Sequence, residues 1–255
     1  MVRTLLSLLG FALAAGPLAA GEKHVTLRWF GQSFFQLETS AGKSVVFDPH
    51  AISEFGRTNV RGDVICISHL HNDHNKVEVV VGHESARVFN GLKERANGRT
   101  QDWNKIDEKV GAIRIRTVGT YHDATNGMTR GKNAVFIVEA DGLTFCHLGD
   151  LGHELDPATI KLIGPVDVLM VPVGGVYTIN GEQARAVTAA INPRLYAVPM
   201  HYGVKGYDDL LPPDEFLDGL KNVKKFPRTN ELVIPVDMKA DGYTVAVLNY
   251  KKEEK

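Results

Sequence analysis

The chain has 255 residues, of which 44% are hydrophobic and 23% are charged. This length and hydrophobic content are sufficient for one sizeable core, so we expect a single main domain. The formal net charge is −1 and no long basic block occurs. The composition therefore argues against a general nucleic-acid-binding surface, and we expect no nucleic-acid partner.

The start of the chain has the pattern of an export signal. Arg3 supplies a basic start, an uncharged apolar run covers residues 5–15, and small residues follow. This order is typical of a secretory signal peptide, with cleavage after Ala20 or after Gly21. An uncleaved membrane anchor is the alternative, although the run is shorter than the roughly 20 residues that a span needs. We predict a secreted or periplasmic protein without a membrane segment after cleavage, divided into a signal peptide at 1–20 and a folded domain at 22–255.

Short apolar segments separated by turns predict strands in the first half of the folded domain. Segment 63–68 is rich in β-branched and apolar residues, as are strands buried on both faces. The predicted strands of this half are 25–30, 34–38, 44–47, 63–68 and 112–118.

Helices join the strands in the second half. Segments 133–139 and 143–148 flank an Asp141-Gly142 hairpin turn, and Asp156-Pro157 has the residues of a helix start. The further predicted elements are helices at 182–191 and 213–223 and strands at 166–172, 195–199, 232–235 and 243–248. Strands that come first in meanders and later alternate with helices predict a layered α/β fold.

The most informative segment directly follows the predicted strand 63–68. Three histidines and one aspartate fall within six residues there: His69, His71, Asp73 and His74. A loop after a strand can direct several side chains at one point, which a continuous helix cannot do. Imidazole nitrogens and carboxylate oxygens suit zinc, iron or manganese, so the segment predicts a metal site.

This His-x-His-x-Asp-His pattern resembles the metallo-β-lactamase superfamily. The later residues of the family's pattern follow in order as His122, Asp150 and His201, each near the end of a predicted strand. The resemblance covers about residues 25–203. Phe47-Asp48-Pro49, Pro172-Val173-Gly174-Gly175 and Pro199-Met200-His201-Tyr202 are similar to the branch that contains ascorbate-6-phosphate lactonase. That branch often has Gly-His near the second strand, where this chain has Gly31-Gln32.

The resemblance implies a four-layer αββα sandwich with two divalent metal ions, zinc in the first place and manganese or iron as alternatives. It implies one ion held by His69, His71 and His122, a second held by Asp73, His74 and His201, and Asp150 bridging the two. A bridging carboxylate reduces the repulsion between two cations about 3.5–4 Å apart.

The chemistry implied is hydrolysis. A metal-bridging hydroxide would attack a lactone, an amide or a phosphate ester, with Asp150, Asp73 and His201 as the catalytic residues and no covalent intermediate on a side chain. Two alternatives stay open: an iron-dependent enzyme that oxidises thiols or persulfides, and a non-catalytic metal-binding protein. The sequence does not determine the oligomeric state.

A polar loop, residues 123–132, follows His122 directly. We expect it to pass near the metals, where Arg130 and Lys132 could bind a carboxylate or phosphate. The loop therefore predicts a small, anionic substrate. An ordinary solvated loop is the alternative.

Two further side chains are candidates for contact with the substrate. Tyr202 follows His201 and could donate its hydroxyl, and His153 lies three residues after Asp150 and could line the pocket. For His153, a surface position is an equally good interpretation.

Four other residues have two interpretations each. Asp48 and Asp123 could orient a ligand histidine or could simply form turns. Cys66 and Cys146 lie in apolar predicted strands, where an exported protein could oxidise them to a disulfide. We favour two buried thiols.

Overall fold

The computed structural model describes residues 23–56, 59–93 and 102–251. The strands of these residues are β1 (His24–Trp29), β2 (Phe35–Glu38), β3 (Ser44–Phe47), β4 (Val60–Arg61), β5 (Val64–Ile67), β6 (Val80–Val81), β7 (Arg87–Asn90), β8 (Asp107–Val110), β9 (Ile113–Tyr121), β10 (Lys132–Ala140), β11 (Leu143–His147), β12 (Val168–Pro172), β13 (Tyr196–Met200), β14 (Val223–Phe226), β15 (Glu231–Pro235) and β16 (Thr244–Leu248). The α-helices are α1 (Pro157–Ile163), α2 (Gly181–Ile191) and α3 (Asp214–Leu217). The predicted signal peptide, residues 1–20, lies outside the described residues, so export stays a prediction.

Two mixed β-sheets form the body of the structure. The six-stranded sheet has the order β15-β1-β2-β3-β5-β7, and the eight-stranded sheet has the order β14-β16-β13-β12-β11-β10-β9-β8. In the larger sheet β8 to β11 form an antiparallel meander, and the strands beyond β11 run parallel. This arrangement confirms the predicted α/β class.

The main core lies between the two sheets. Successive side chains of a strand point to opposite faces, so in β3 Val45 and Phe47 pack into this core with Phe136 of β10. Val46 points the other way and joins Ile65 in a second apolar cluster. Both faces of β3 and β5 are therefore buried, which explains their continuous apolar sequences.

The outer layers differ between the two sheets. Helix α2 packs on β12 and α1 lies beside β9, so helices cover the larger sheet. Over the described residues, the smaller sheet has no α-helix on its outer face. There the short β4–β6 pair and a 3-10 turn at Val77–Val79 contribute the second apolar cluster. None of the described helices has the length and hydrophobicity of a membrane span.

The predicted helix at 213–223 is wrong over most of its length. The observed helix α3 ends at Leu217, Gly219 adopts a positive φ of 73°, and Val223 already begins β14. Pairing of β14 with β16 fixes this segment more strongly than its local helical pattern does. The prediction also missed β7 and β8, whose mostly exposed residues give no apolar alternation.

The two cysteines are free and buried in the core, which confirms the interpretation as thiols. Burial raises the pKa of both the Cys66 and the Cys146 thiol, because an apolar environment disfavours the thiolate.

We expect a thiol reagent such as DTNB to modify neither cysteine in the folded protein and both cysteines after unfolding in guanidinium. The reagent needs an accessible thiolate, which only the unfolded chain offers. A thiol that reacts rapidly in the native protein, or a chain without reactive thiol after unfolding, would contradict the buried-thiol assignment.

Candidate metal centre

The predicted ligands all follow strand ends, and the structure brings them together. Residues 69–74 follow β5, His122 follows β9, Asp150 follows β11 and His201 follows β13. The side chains that gather in one place are His69, His71, Asp73, His74, His122, Asp150 and His201.

The first group consists of His69, His71 and His122, whose potential ligand atoms lie within 4.8 Å of one another. The Nε2 of His69 is 3.0 Å from the Nδ1 of His71. His69 and His122 are buried, while His71 is exposed, so the group is open to solvent on one side. Burial lowers the pKa of His69 well below its usual value, which keeps the imidazole neutral and able to bind a cation.

The second group consists of Asp73, His74 and His201, again with ligand atoms within 4.8 Å of one another. The Nε2 of His74 is buried and makes no well-oriented hydrogen bond within the described residues, although the carboxylate oxygens of Asp150 and Asp73 lie 3.1 and 3.5 Å away. A buried polar atom without a partner is unfavourable. A divalent cation at this point would satisfy it, so the donor set fits a metal.

Asp150 lies between the two groups. Its Oδ2 is 3.1 Å from the Nε2 atoms of His74 and His201, 3.3 Å from that of His122 and 3.9 Å from that of His69. Burial disfavours the charged form, but the imidazoles of His201 and His74 hold the pKa of Asp150 well below its usual range. One ionised oxygen thus faces nitrogens of both groups.

Asp48 and Ser68 contact two candidate ligand histidines at the ring nitrogens that do not face Asp150. The carboxylate of Asp48 accepts hydrogen bonds from the backbone N–H and the hydroxyl of Ser68, at 2.7 and 2.6 Å, and lies 3.0 Å from the Nδ1 of His74. Ser68 Oγ is in turn 2.9 Å from the Nδ1 of His69. The carboxylate therefore orients one histidine of each group, and the interpretation of Asp48 as a plain turn residue is insufficient.

Gln32 is a site residue to which the sequence analysis gave no role. Its side chain is buried, and its Nε2 lies 3.2 Å from Asp73 Oδ2 and 3.1 Å from His201 Nε2. The only sequence signal is a polar residue after a glycine at the end of an apolar strand, which is equally typical of an ordinary turn. Ser33, the next residue, donates its hydroxyl to Asp150 Oδ1 at 3.1 Å.

Three residues of the site have a left-handed backbone. Gln32, Asp48 and His201 have φ values of 48°, 42° and 51°, a region that residues other than glycine rarely occupy. Such strain persists only where surrounding contacts enforce it, and it concentrates at functional sites. Here the backbone N–H of His201 donates to the carbonyl of Gln32 at 3.0 Å, which joins two of these residues.

Asp123 organises the loop that follows His122. Its carboxylate accepts four backbone N–H groups, those of Thr125, Gly127, Thr129 and Arg130, and the Thr125 hydroxyl. Burial opposes ionisation, but these hydrogen bonds lower the pKa of Asp123. The residue thus acts as a turn residue that fixes a loop next to the site.

Arg130 belongs to the loop after His122, and its side chain contacts a second loop, residues 173–180, which follows β12. Its guanidinium donates to the carbonyl of Val176 at 3.1 Å and lies over the ring of Tyr177. The same second loop contacts His201 through a backbone hydrogen bond from Gly174. These contacts hold Arg130 beside a loop that touches His201, and its role in substrate binding stays a prediction.

The other three candidates for substrate binding are Lys132, Tyr202 and His153, and the side chain of each contacts another protein group. Lys132 pairs with Asp102 at 3.0 Å and lies over the ring of Trp103. The hydroxyl of Tyr202 is buried and directed at the Leu248 carbonyl, 3.5 Å away.

His153 is engaged as well. Its Nε2 accepts the backbone N–H of Tyr121 at 3.2 Å, and its Nδ1 lies 2.7 Å from the Glu154 carbonyl oxygen. These contacts give Lys132, Tyr202 and His153 other partners, so the structure adds no support to their substrate-binding roles, which stay predictions.

Comparison with known proteins agrees with this geometry. A family model described as a beta-lactamase superfamily domain matches residues 26–201. A UPF0173 protein of Pyrococcus furiosus is 31% identical over 196 residues, which cover 74% of this chain and 87% of that protein. A UPF0173 metal-dependent hydrolase of Thermococcus kodakarensis is 27% identical over 192 residues, 70% of this chain and 84% of that protein.

A solved structure is similar over nearly its whole length. It is that of a Thermotoga maritima protein assigned to the zinc-dependent hydrolases of the metallo-β-lactamase superfamily, with 34% identity, a TM-score of 0.63, and coverage of 88% of this chain and 98% of that one. The chain therefore belongs to the metallo-β-lactamase superfamily. The ascorbate-6-phosphate lactonase branch stays a prediction.

We expect Asp48→Asn to weaken metal binding by about tenfold or more without unfolding the protein, because supporting residues of this kind typically contribute 10–100-fold. The amide cannot accept from Ser68 and His74 as the carboxylate does. Asp141→Asn is the matched control, since Asp141 also has a positive φ and accepts hydrogen bonds from Ser40, outside the centre. Equal metal affinity of the two variants would contradict the role of Asp48.

Proposed function

We propose that this protein is a metal-dependent hydrolase with two divalent ions, zinc in the first place, that cleaves a lactone, an amide or a phosphate ester of a small anionic molecule. The observation that carries the proposal is the position of Asp150 Oδ2, within 3.9 Å of imidazole nitrogens from both ligand groups. His69, His71 and His122 would hold one ion, Asp73, His74 and His201 the other, and Asp150 would contact both.

Bound ions would supply the Lewis acidity that activates water and polarises the bond to be cleaved. The protein's own groups would hold these ions in place, and the charge of Asp150 would reduce their repulsion. Ser33 fixes the orientation of that carboxylate by donating to Oδ1, while Asp48 and Ser68 fix the rings of His74 and His69. Burial of Asp150 and its neighbours limits competing water and strengthens these electrostatic interactions.

A covalent mechanism has little support among the described residues of the centre. The hydroxyls of Ser33 and Ser68 contact carboxylate oxygens at 3.1 and 2.6 Å and are both fully buried. Cys66 and Cys146 are core residues within strands. Water is thus the nucleophile that best fits the site. The names of the relatives, which include metal-dependent hydrolases, agree with this class.

The reaction is best identified by an activity screen on the metal-loaded protein with lactones, β-lactams, phosphodiesters and thioesters. Hydrolysis that disappears on chelation and returns with added metal supports the proposal. Oxygen consumption with a thiol or persulfide, without hydrolysis, would instead identify the oxidative alternative. A chain that binds metal but turns over neither class would be the non-catalytic protein.

We expect two metal ions per chain in an active preparation, and we expect Asp150→Ala to lose both. One carboxylate oxygen serves both ligand groups, so its removal leaves two cations without the charge between them. Metal content by elemental analysis is the measurement, and Asp156→Ala, in the N-terminal cap of α1, is the control. A single ion in the active wild type, or two ions in Asp150→Ala, would refute the shared role of Asp150.

The preference for an anion follows from the charges of the site. Two divalent cations would carry four positive charges, whereas Asp73, Asp150 and a bridging hydroxide would supply three negative ones, and the remaining ligands would be histidines. The surplus favours substrates with a carboxylate or phosphate, and Arg130 adds a positive group at the rim.

We expect Arg130→Ala to lower kcat/KM by about tenfold more for a charged substrate than for its neutral ester, because a hydrogen bond to a charged group contributes about 1.5–3 kcal/mol. Lys132→Ala, which removes an ammonium already paired with Asp102, is the matched control and should not discriminate by charge. Equal losses for both substrates in Arg130→Ala would show that Arg130 does not bind the charged group of the substrate.

A further inference from the structure

Gln32 occupies a position that a metal ligand would have. The terminal nitrogen of its amide lies 3.1 Å from His201 Nε2 and 3.2 Å from Asp73 Oδ2, two atoms of the second ligand group. Two ligands bound at about 2.1 Å to the same ion lie roughly 3.0–3.4 Å apart, depending on the coordination geometry. The end of this side chain thus has the spacing of one more ligand in the same shell.

The hydrogen bonding of Gln32 is incomplete in its present orientation. Its Oε1 is buried and has no partner within the described residues, which is costly for an amide oxygen. Its Nε2 faces the Nε2 of His201, and a cation bound to that ring nitrogen would occupy the lone pair that the amide N–H needs. A half-turn of the amide resolves the conflict, because the oxygen then lies beside His201 and Asp73.

The backbone of Gln32 is fixed at this place. Its carbonyl accepts hydrogen bonds from the indole N–H of Trp29 at 2.9 Å and from the backbone N–H of His201 at 3.0 Å. With a side chain that is 1% exposed, the residue cannot easily leave the centre.

We propose that Gln32 is a further ligand of the ion at Asp73, His74 and His201, and that it binds through its amide oxygen. The inference rests on the proposed metal centre and adds a neutral oxygen to a group that already supplies one carboxylate and two imidazoles. With the shared Asp150 counted, this ion would have five protein ligands, and the ion at His69, His71 and His122 would have four. The two ions therefore differ in affinity and in the number of positions left for water or substrate.

Cobalt(II) is a suitable probe, since its visible absorption becomes more intense as its coordination number falls. We would titrate Co²⁺ into the metal-free full-length chain and follow both affinity and spectrum. For Gln32→Leu, which preserves the size of the side chain but has no oxygen, we expect one of two Co²⁺ equivalents to bind about tenfold or more weakly and to absorb more strongly. The other equivalent should be unchanged.

Two further variants make the result specific. Gln32→Glu keeps an oxygen at the same place and should retain the affinity of that site or increase it. Gln36→Leu is the matched control, because Gln36 is also buried but donates to the Arg61 carbonyl outside the centre; it should bind both equivalents as the wild type does. Circular dichroism verifies that each variant is folded.

The possible failures are distinguishable. If Gln32→Leu bound both equivalents with the wild-type affinity and spectrum, Gln32 would not be a ligand. The proposed two-metal centre would be unaffected by that result. A loss of affinity as large in Gln32→Glu as in Gln32→Leu would likewise overturn the assignment to the amide oxygen. A wild-type chain that bound no Co²⁺ would overturn both this inference and the proposed function.

Discussion

The buried carboxylate of Asp150 is the constraint on which the rest of the structure depends. An ionised carboxylate inside a protein is costly unless cations or hydrogen-bond donors surround it. Imidazoles from three different loops converge on one of its oxygens. The strands that precede these loops are packed in the main core, and their fixed register brings the ends of the strands, and therefore the loops, close together.

A second layer of polar contacts gives the site its precision. Asp48 connects histidines of both ligand groups, and Asn133 accepts the backbone N–H of Asp150 at 3.0 Å while donating to the Leu148 carbonyl. These contacts join protein groups to one another, so they restrict the candidate ligands and reduce the conformational freedom that ion binding would have to remove. The left-handed residues of the site are consistent with that interpretation, since their strain needs a rigid environment.

The sequence predicted which candidate ligands gather in one place better than it predicted their surroundings. His69, His71, Asp73 and His74 share one short loop after a buried strand, so their spacing in the sequence is sufficient to place their side chains close together. Gln32 could not be predicted in the same way, since it reaches the centre only through the pairing of β1 with β15 and β2 and a backbone contact with His201.

Side-chain direction was hard to predict in the site, and long-range pairing was hard to predict in the fold. Tyr202 follows a candidate ligand, but its side chain packs in the main core; both residues lie beyond the end of β13, where His201 is left-handed and strand alternation no longer sets side-chain direction. Segment 218–223 reads as the second half of a helix until the parallel pairing of β14 with β16 is known. By contrast, strands buried on both faces, such as β5, were predicted within a residue or two because their apolar runs need no partner to be recognised.

The carboxylate of Asp123 holds the loop after His122 in its shape. Apart from the Thr125 hydroxyl, the groups that Asp123 binds belong to the main chain, so the shape of the loop depends on Asp123 and on the residues with positive φ, Asn126, Gly127 and Gly131. Positions such as Ala124 and Met128, which are exposed, are then free to change without moving His122. A protein built in this way can acquire new substrates by exchanging rim residues while its catalytic centre stays intact.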